Sequence, residues 1–211
     1  MKKLVILISG SGSNLRSIYH KIEDGEINAT ISMVISNKPC NGIDFASKNN
    51  IPYKVFPHIE YKSRVLYDRG LSIEINNINP DFIILAGFMR VLTPFFVKNY
   101  NGRLINIHPS LLPKHKGLNT HQRAIDAKDT EHGSTVHLVN EEVDGGTPIA
   151  YIKLKILEDD TKETLEARIK KQENKLYPEV IKLLCNNKIT LKKNTVALNG
   201  TIKSKPIQLK F

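Results

Sequence analysis

Short apolar runs alternate along this chain with stretches whose apolar residues recur at helical spacing. Apolar runs of about four to eight residues bounded by Gly, Pro, Asn or Ser predict buried strands. The predicted strands are residues 4–9, 31–35, 53–56, 82–86, 104–107, 134–139 and 149–156. The predicted helices are residues 15–23, 43–48, 61–78, 161–184 and a segment through Ala127 that Asn119 or Thr120 could cap. Thr161 and Thr164 are candidate caps of the last helix.

This order of elements predicts an α/β fold. The run 82–86 is apolar throughout, as in a parallel strand that is covered on both faces. Strands that alternate with helices of this length form a mostly parallel, Rossmann-like central sheet with helices on both faces. Ligands of such sheets bind at the carboxyl ends of the strands. At 211 residues, the chain suits a single domain with a sizeable core.

Composition agrees with a globular cytoplasmic protein. The chain is 40% hydrophobic and 25% charged, and no apolar run approaches the roughly 20 residues that span a membrane. The start, MKKLVILIS, has the charge of a signal peptide, but its apolar part is shorter than the usual 7–15 or so residues. We interpret it as the first strand. The two cysteines, Cys40 and Cys185, form neither a disulfide framework nor a metal motif, and no metal is expected.

The chain is basic, and the basic residues are concentrated at its end. The formal net charge is +10, and seven lysines but no acidic residue follow Glu179. A basic tail is one signature of nucleic-acid binding. These lysines are scattered, however, and Phe211 is the one aromatic residue among them. We therefore expect no nucleic-acid partner.

A glycine loop, GSGSN at residues 10–14, follows the first strand and precedes a helix. Backbone N–H groups at such a helix start bind phosphate, and Gly10 and Gly12 allow a close approach. Ser13 or Asn14 would cap the helix. The loop lacks the Lys-Ser/Thr of a P-loop and the third glycine of a dinucleotide fingerprint, so an ordinary turn stays an alternative.

Residues 104–113, LINIHPSLLP, carry the strongest candidate chemistry. Asn106 and His108 lie two residues apart in a strand, so both side chains point to the same face. An amide donor beside an imidazole suits a reaction through a negatively charged tetrahedral carbon. A capped strand end with a surface histidine is the alternative.

The sequence NIHPSLLPKHKG, preceded by ILAGFMRVLTP and followed by a DGG turn, resembles the formyltransferases that use 10-formyltetrahydrofolate. The resemblance is strongest to those that formylate 5-phosphoribosylglycinamide in de novo purine biosynthesis, and it runs from the first strand to about residue 180. It implies one formyltransferase domain at 1–185. Its phosphate-binding part lies at about 1–100 and its folate and catalytic part at about 101–185. Residues 186–211 would be a basic tail of that domain.

The resemblance also implies roles for particular residues. Catalysis is assigned to Asn106, His108 and Asp144. The phosphate and ribose of the ribonucleotide would be bound by Gly12, Ser13, Asn14, Lys170 and Glu173. The folate would be bound by Arg64, Met89, Arg90, Val91, Leu92, Asn106, Asn140, Glu141, Glu142, Val143 and Asp144. From the residues alone, Asp144 is equally a turn aspartate, Arg64 a solvated charge, and Lys170 with Glu173 a surface ion pair.

The implied reaction passes a formyl group directly to the glycinamide amine. His108 and the Asn106 amide would stabilise the oxyanion, and Asp144 would orient His108, raise its pKa and assist proton transfer. The expected partners are the two small-molecule substrates, with no metal, membrane or nucleic acid, in a monomer or homodimer. His121 is an accessory candidate, whereas His137 is expected to pack or meet solvent.

Three alternative functions qualify this interpretation, as do four residues that differ from the usual sequence of the family. Methionyl-tRNA formyltransferases carry a further C-terminal domain and formyltetrahydrofolate deformylases an N-terminal one, and neither is expected here. A non-enzymatic α/β binding module is the third alternative. Lys116 and Thr147 stand where the family commonly has proline, Asn119 where it has histidine, and Tyr151 where it often has glutamine. The Lys116 and Asn119 changes put the stiffness of the loop after Pro113 in question.

Overall fold

The computed structural model describes residues 1–192 and 195–211, so Lys193 of the basic tail lies outside the described residues. The helices are α1 (Ser13–Glu23), α2 (Asn41–Lys48), α3 (Arg64–Ile78), α4 (Pro94–Asn99), α5 (Thr120–Asp126) and α6 (Lys162–Cys185), with a 3-10 helix at His58–Glu60. The strands are β1 (Lys2–Ile8), β2 (Ala29–Ser36), β3 (Tyr53–Val55), β4 (Phe82–Leu85), β5 (Leu104–His108), β6 (Glu131–Leu138), β7 (Pro148–Lys155), β8 (Ile189–Lys192), β9 (Thr195–Leu198), β10 (Thr201–Lys203) and β11 (Ile207–Gln208).

In the described part of the chain, eight strands form one sheet in the order β11-β7-β6-β5-β4-β1-β2-β3. β6 is antiparallel to both β5 and β7, and the other pairs are parallel. The predicted α/β class with a mostly parallel sheet is therefore confirmed. The tail contributes β11 to the edge of this sheet and a small antiparallel sheet of β8, β9 and β10.

The sheet separates two hydrophobic cores. Along β1, Leu4, Ile6 and Ile8 pack into a core that also contains residues of α1, α2 and α6. Val5 and Leu7 pack into the other core, with residues of α3 and α4. This alternation follows from the two-residue period of a strand, and it explains why β1 is apolar throughout.

The start of α3 corrects the predicted helix 61–78. Ser63 is the N-cap, and its Oγ accepts a hydrogen bond from Leu66 N at 3.2 Å, so the helix begins at Arg64. The interior Gly70 makes room for neighbours, because a Cβ there would lie 2.9 Å from Phe56 Cζ. Asn79, with φ of 48°, ends the helix before Pro80 as predicted.

The predicted caps of the other helices agree with the structure only in part. Within the described residues, α1 has no side-chain cap: Gly12 occupies the N-cap position, and neither Ser13 nor Asn14 acts as one. The predicted Thr161–Thr164 capping pair of α6 is confirmed as a capping box. The six-residue α4 was not predicted, because an element this short carries too little periodicity.

Candidate active site

The carboxyl ends of β1, β4 and β5 meet at one edge of the sheet, beside a cavity of about 240 Å³. The structure brings the predicted ribonucleotide-binding residues together in its lining: Gly12, Ser13, Asn14, Lys170 and Glu173. Met89 and Pro109 also line it, which places the cavity against both the segment after β4 and the end of β5. Residues that are far apart in sequence thus form one site.

The lining includes residues that sequence reasoning left out or only suspected. His121 was an accessory candidate, and it lies in the wall with Glu166 and Ile169. The helical spacing of Glu166, Ile169, Lys170 and Glu173 was the available signal, since residues three or four apart share one face. That face of α6 is the cavity wall.

Glu173 is held in this wall by neighbours on two other elements. Its Oε1 accepts a hydrogen bond from Ser134 Oγ at 2.7 Å. Burial raises the pKa of Glu173, against hydrogen bonds from Ser134 and Asn14 and the nearby charge of Lys170. Asn14 Oδ1 is buried and has no hydrogen-bond partner within the described residues. A buried amide oxygen without a partner fits a polar ligand in the cavity.

Gly12 is required by the fold as well as by a bound phosphate. Its φ is 74°, a conformation that side chains disfavour, and an added Cβ would lie 2.8 Å from the Cα of Gly42. Any substitution at Gly12 would therefore disturb the contact between the loop and the start of α2.

His108 lies at the end of β5 and is 6% exposed. Its Nε2 is 3.0 Å from the carbonyl oxygen of His115, so Nε2 carries a hydrogen. Its Nδ1 is 3.3 Å from Asp144 Oδ2. A neutral ring with its hydrogen on Nε2 turns the Nδ1 lone pair towards the carboxylate, whereas a protonated ring donates to both partners.

The pKa shifts of His108 and Asp144 modify the sequence-based expectation that Asp144 raises the pKa of His108. Burial lowers the pKa of His108, and the His115 carbonyl and Asp144 oppose this effect without reversing it. Burial raises the pKa of Asp144, but the hydrogen bond from the Gly117 N–H and the neighbouring His108 hold it below its usual value. Asp144 is thus an anion beside a ring whose protonation burial opposes.

His137, which was predicted to pack or to meet solvent, packs in the interior, and its ring orients Asn106. His137 is 1% exposed, and its Nδ1 donates to its neighbour's backbone oxygen, Leu138 O, at 2.8 Å. Its Nε2 is therefore an acceptor and lies 3.0 Å from Asn106 Nδ2. This contact fixes the Asn106 amide with its NH₂ group beside His137, so a second N–H stays available. His137 Nε2 is also 3.7 Å from Asp144 Oδ1.

Two further segments flank His108. The segment predicted to bind folate, Met89 to Leu92 (named here the folate segment), is held by Arg64, whose Nη2 donates to Val91 O at 2.7 Å. The Arg90 guanidinium lies 4.6 Å from the centre of the Tyr67 ring, so this side chain packs back onto α3. In the second segment, 140–144, the Asn140 amide donates to Gly145 O at 3.2 Å and its Oδ1 accepts from Glu142 N at 3.0 Å. The exposed side chains in these segments include Met89, Val91 and Val143.

The loop after Pro113 is tied to its surroundings despite its departures from the family. Lys116 Nζ is 2.7 Å from Glu142 Oε1, and Lys116 O accepts from Arg123 Nη1 at 2.6 Å. Gly117 N donates to Asp144 Oδ2 at 2.9 Å. These contacts supply a restraint that the missing proline would otherwise provide. Tyr151, another departure, donates to Gln208 Oε1 at 3.1 Å and so binds β11.

The chain was compared with known proteins. The formyl transferase family matches residues 2–181. The phosphoribosylglycinamide formyltransferase of Haemophilus influenzae is 45% identical over 201 residues, which cover 95% of each chain. That of Escherichia coli is 41% identical over 198 residues, which cover 93% of each. A solved phosphoribosylglycinamide formyltransferase from Coxiella burnetii superposes with a TM-score of 0.94 at 41% identity and covers 99% of both chains.

The chain belongs to the formyl transferase family. Within it, the chain falls among the phosphoribosylglycinamide formyltransferases of purine biosynthesis, as the resemblance of its motifs indicated. In the part of the chain that the structure describes, no helix is both long enough and apolar enough to cross a membrane. Nor do the described residues contain a group of three or more His, Cys, Asp or Glu side chains arranged to hold a metal ion.

Proposed function

We propose that this chain transfers a formyl group from 10-formyltetrahydrofolate to the amine of 5-phosphoribosylglycinamide. The observation that carries the proposal is the juxtaposition of two features at one sheet edge. One is the His108–Asp144 contact of 3.3 Å, with Asn106 beside it. The other is the cavity with a glycine loop at one side and Glu173 at the other. The first suits an oxyanion, and the second suits a phosphorylated polar substrate.

The ribonucleotide would occupy the cavity. Backbone N–H groups at the start of α1, Gly12 to Asn14, would bind its phosphate, and Lys170 would add a positive charge. Glu173 and Asn14 Oδ1 are acceptors that would take hydrogen bonds from ribose hydroxyls. Pro109, which follows His108 in the chain, lines the cavity, so the other end of this substrate would lie beside His108.

The folate co-substrate would lie between the folate segment and residues 140–144. Met89, Val91 and Val143 are 71%, 51% and 47% exposed, and a flat heterocycle would cover such apolar side chains. Backbone groups of Arg90 and Leu92 and of Asn140 to Asp144 would provide polar contacts. Arg64, which already bonds Val91 O, is a cation beside this segment that would pair with an anionic end of the folate.

In the reaction, the substrate amine forms a bond to the formyl carbon, and the bond from that carbon to the folate N10 breaks. Negative charge develops on the formyl oxygen, where the second N–H of Asn106 is available to donate. The same charge raises the pKa of His108, so the ring gains a proton and Asp144 stabilises the imidazolium. The amine loses one proton and N10 gains one. His108 and Asp144 therefore need only carry a proton from the amine to N10.

The test is a formyl-transfer assay with purified protein and both substrates. Folate deformylation should be slow until the ribonucleotide is added, and each folate released should then yield one formylated product. A transferase must hold the amine about 3–3.5 Å from the formyl carbon and keep water from competing. Rapid formate release that the ribonucleotide leaves unchanged would contradict the transferase and favour a hydrolase that uses the same side chains.

A further inference from the structure

Ser9 is a buried hydroxyl between the two segments that the proposed reaction assigns to different substrates. It follows β1 and directly precedes the glycine loop, and it is 4% exposed. Its Oγ accepts a hydrogen bond from Met89 N at 2.8 Å. Met89 begins the folate segment, and both residues line the cavity. One side chain thus binds the backbone of one substrate segment and is continuous in sequence with the other.

Asn37 fixes the direction of this hydroxyl. Ser9 Oγ donates to Asn37 Oδ1 at 2.6 Å, and Asn37 is itself 4% exposed. Asn37 O and Nδ2 lie 3.1 Å and 3.2 Å from His58 Nδ1, which holds the asparagine in place. Because the Ser9 hydrogen points to Asn37, an Oγ lone pair is left for the Met89 N–H.

The other tethers of the folate segment run to α3. Arg64 bonds Val91 O, and Arg90 lies over the ring of Tyr67. Just beyond the segment, Thr93 N donates to Asp68 Oδ2 at 2.6 Å. These contacts fix the segment against α3. The Ser9 contact instead joins it to the residue that directly precedes the glycine loop.

We propose that Ser9 is a positioning residue that sets the folate segment against the glycine loop, so that the amine and the formyl carbon meet. The proposal rests on the proposed function. The two reacting atoms must lie about 3–3.5 Å apart, and a misplacement of about 1 Å can cost on the order of 100-fold in rate. Ser9 acts on this distance through Met89 and touches neither reacting group.

The test compares Ser9→Ala with wild type in the full chain. We expect kcat to fall about 10- to 100-fold, on the scale of such misplacements. The dissociation constants should change less than about 3-fold, since each segment keeps its other tethers. They are measured separately for the ribonucleotide and for tetrahydrofolate, which lacks the formyl group. Ser9→Cys keeps a side chain of similar shape with a weaker donor and acceptor, and it should show a smaller loss of kcat.

Ser36→Ala is the matched control. Ser36 is fully buried at the end of β2, and its Oγ donates to Lys38 O at 2.6 Å and lies 3.3 Å from Cys40 Sγ, so these described contacts reach neither substrate segment. Its kcat should stay within about 2-fold of wild type. Folded Ser9→Ala with a wild-type kcat would overturn the proposal, as would equal losses in both alanine variants. If Ser9→Ala does not fold, Ser9→Cys decides in the same way. A wild-type chain without formyl transfer would overturn the proposed function, and this inference with it.

Discussion

Buried His132 should make the stability of this protein fall in mild acid. The side chain is 1% exposed, and its Nε2 lies 3.1 Å from His121 Nδ1. Burial lowers its pKa to about 4, and the neighbouring His121 and His115 rings act in the same direction. An unfolded histidine has a pKa of about 6.5. Since the folded pKa is the lower one, this contribution is complete above pH 6.5 or so and is lost as the pH falls towards 4.

The size of the effect follows from the two pKa values. A difference of about two to three pKa units, at about 1.4 kcal/mol each, sets an upper value of about 3 kcal/mol. With both titrations included, about 1 kcal/mol is lost by pH 5.5 and about 2–3 kcal/mol by pH 4.5. Typical unfolding free energies are about 5–15 kcal/mol, so the loss is measurable. His108 and His121, whose pKa values burial also lowers, add to the same slope.

The variant His132→Gln isolates the share of His132. The glutamine amide reaches the position of Nε2 and can still bond His121, but it does not titrate. Urea unfolding, followed by circular dichroism at pH 7.5, 5.5 and 4.5, gives the free energy of each protein. The advantage of wild type over the variant should shrink by about 2–3 kcal/mol between pH 7.5 and 4.5. His20→Gln, at an exposed histidine of α1, is the control. Parallel wild-type and His132→Gln profiles would refute a buried neutral His132.

Two further predictions concern the site. His108→Ala removes the positive charge that the imidazolium would place beside the oxyanion, so kcat should fall by about 10²–10³-fold, the usual scale for losing one electrostatic stabiliser of an oxyanion. Calorimetry should find ribonucleotide binding little changed, and near-normal turnover would remove His108 from the mechanism. Glu173→Gln keeps an acceptor for Ser134 but removes the negative charge. Ribonucleotide affinity should fall about 10-fold, because a hydrogen bond to a charged acceptor is replaced by one to a neutral acceptor. Burial raises the pKa of Glu173, so the Gln variant should be at least as stable as wild type at pH 7. An unchanged ribonucleotide affinity, measured by the same calorimetric titration, would contradict a ribose contact.

Much of the fold could be predicted because its signals are local. A parallel strand covered on both faces is a continuous apolar run, and β1 and β4 were found in this way. The glycine loop and His108 follow strand ends, and parallel strands bring those ends to one edge. This rule about strand ends is enough to predict that the glycine loop and His108 lie at one site.

What the sequence did not predict depends on pairings between distant segments. His137 lies opposite Asn106 because β6 is antiparallel to β5, and strand patterns do not specify that register. Gly12, at the N-cap of α1, lies so close to Gly42 of α2 that an added Cβ would clash, and the local sequence does not specify this contact. The start of α3 was missed because the apolar pattern continues back to Tyr61, whereas Ser63 caps the helix.

The residues of the two proposed substrate sites lie on opposite faces of the sheet, and this arrangement would explain where the proposed chemistry occurs. Ile105 and Ile107 of β5 pack into the core under α6, which also contains Leu15 of α1 next to the glycine loop. Asn106 and His108 alternate with them and point to the other face, on the side of the core that includes Phe88 and Leu92. A ligand on one face can reach a ligand on the other only around the carboxyl edge of the sheet. His108 is the last residue of β5, so the strand ends where the two ligands would meet.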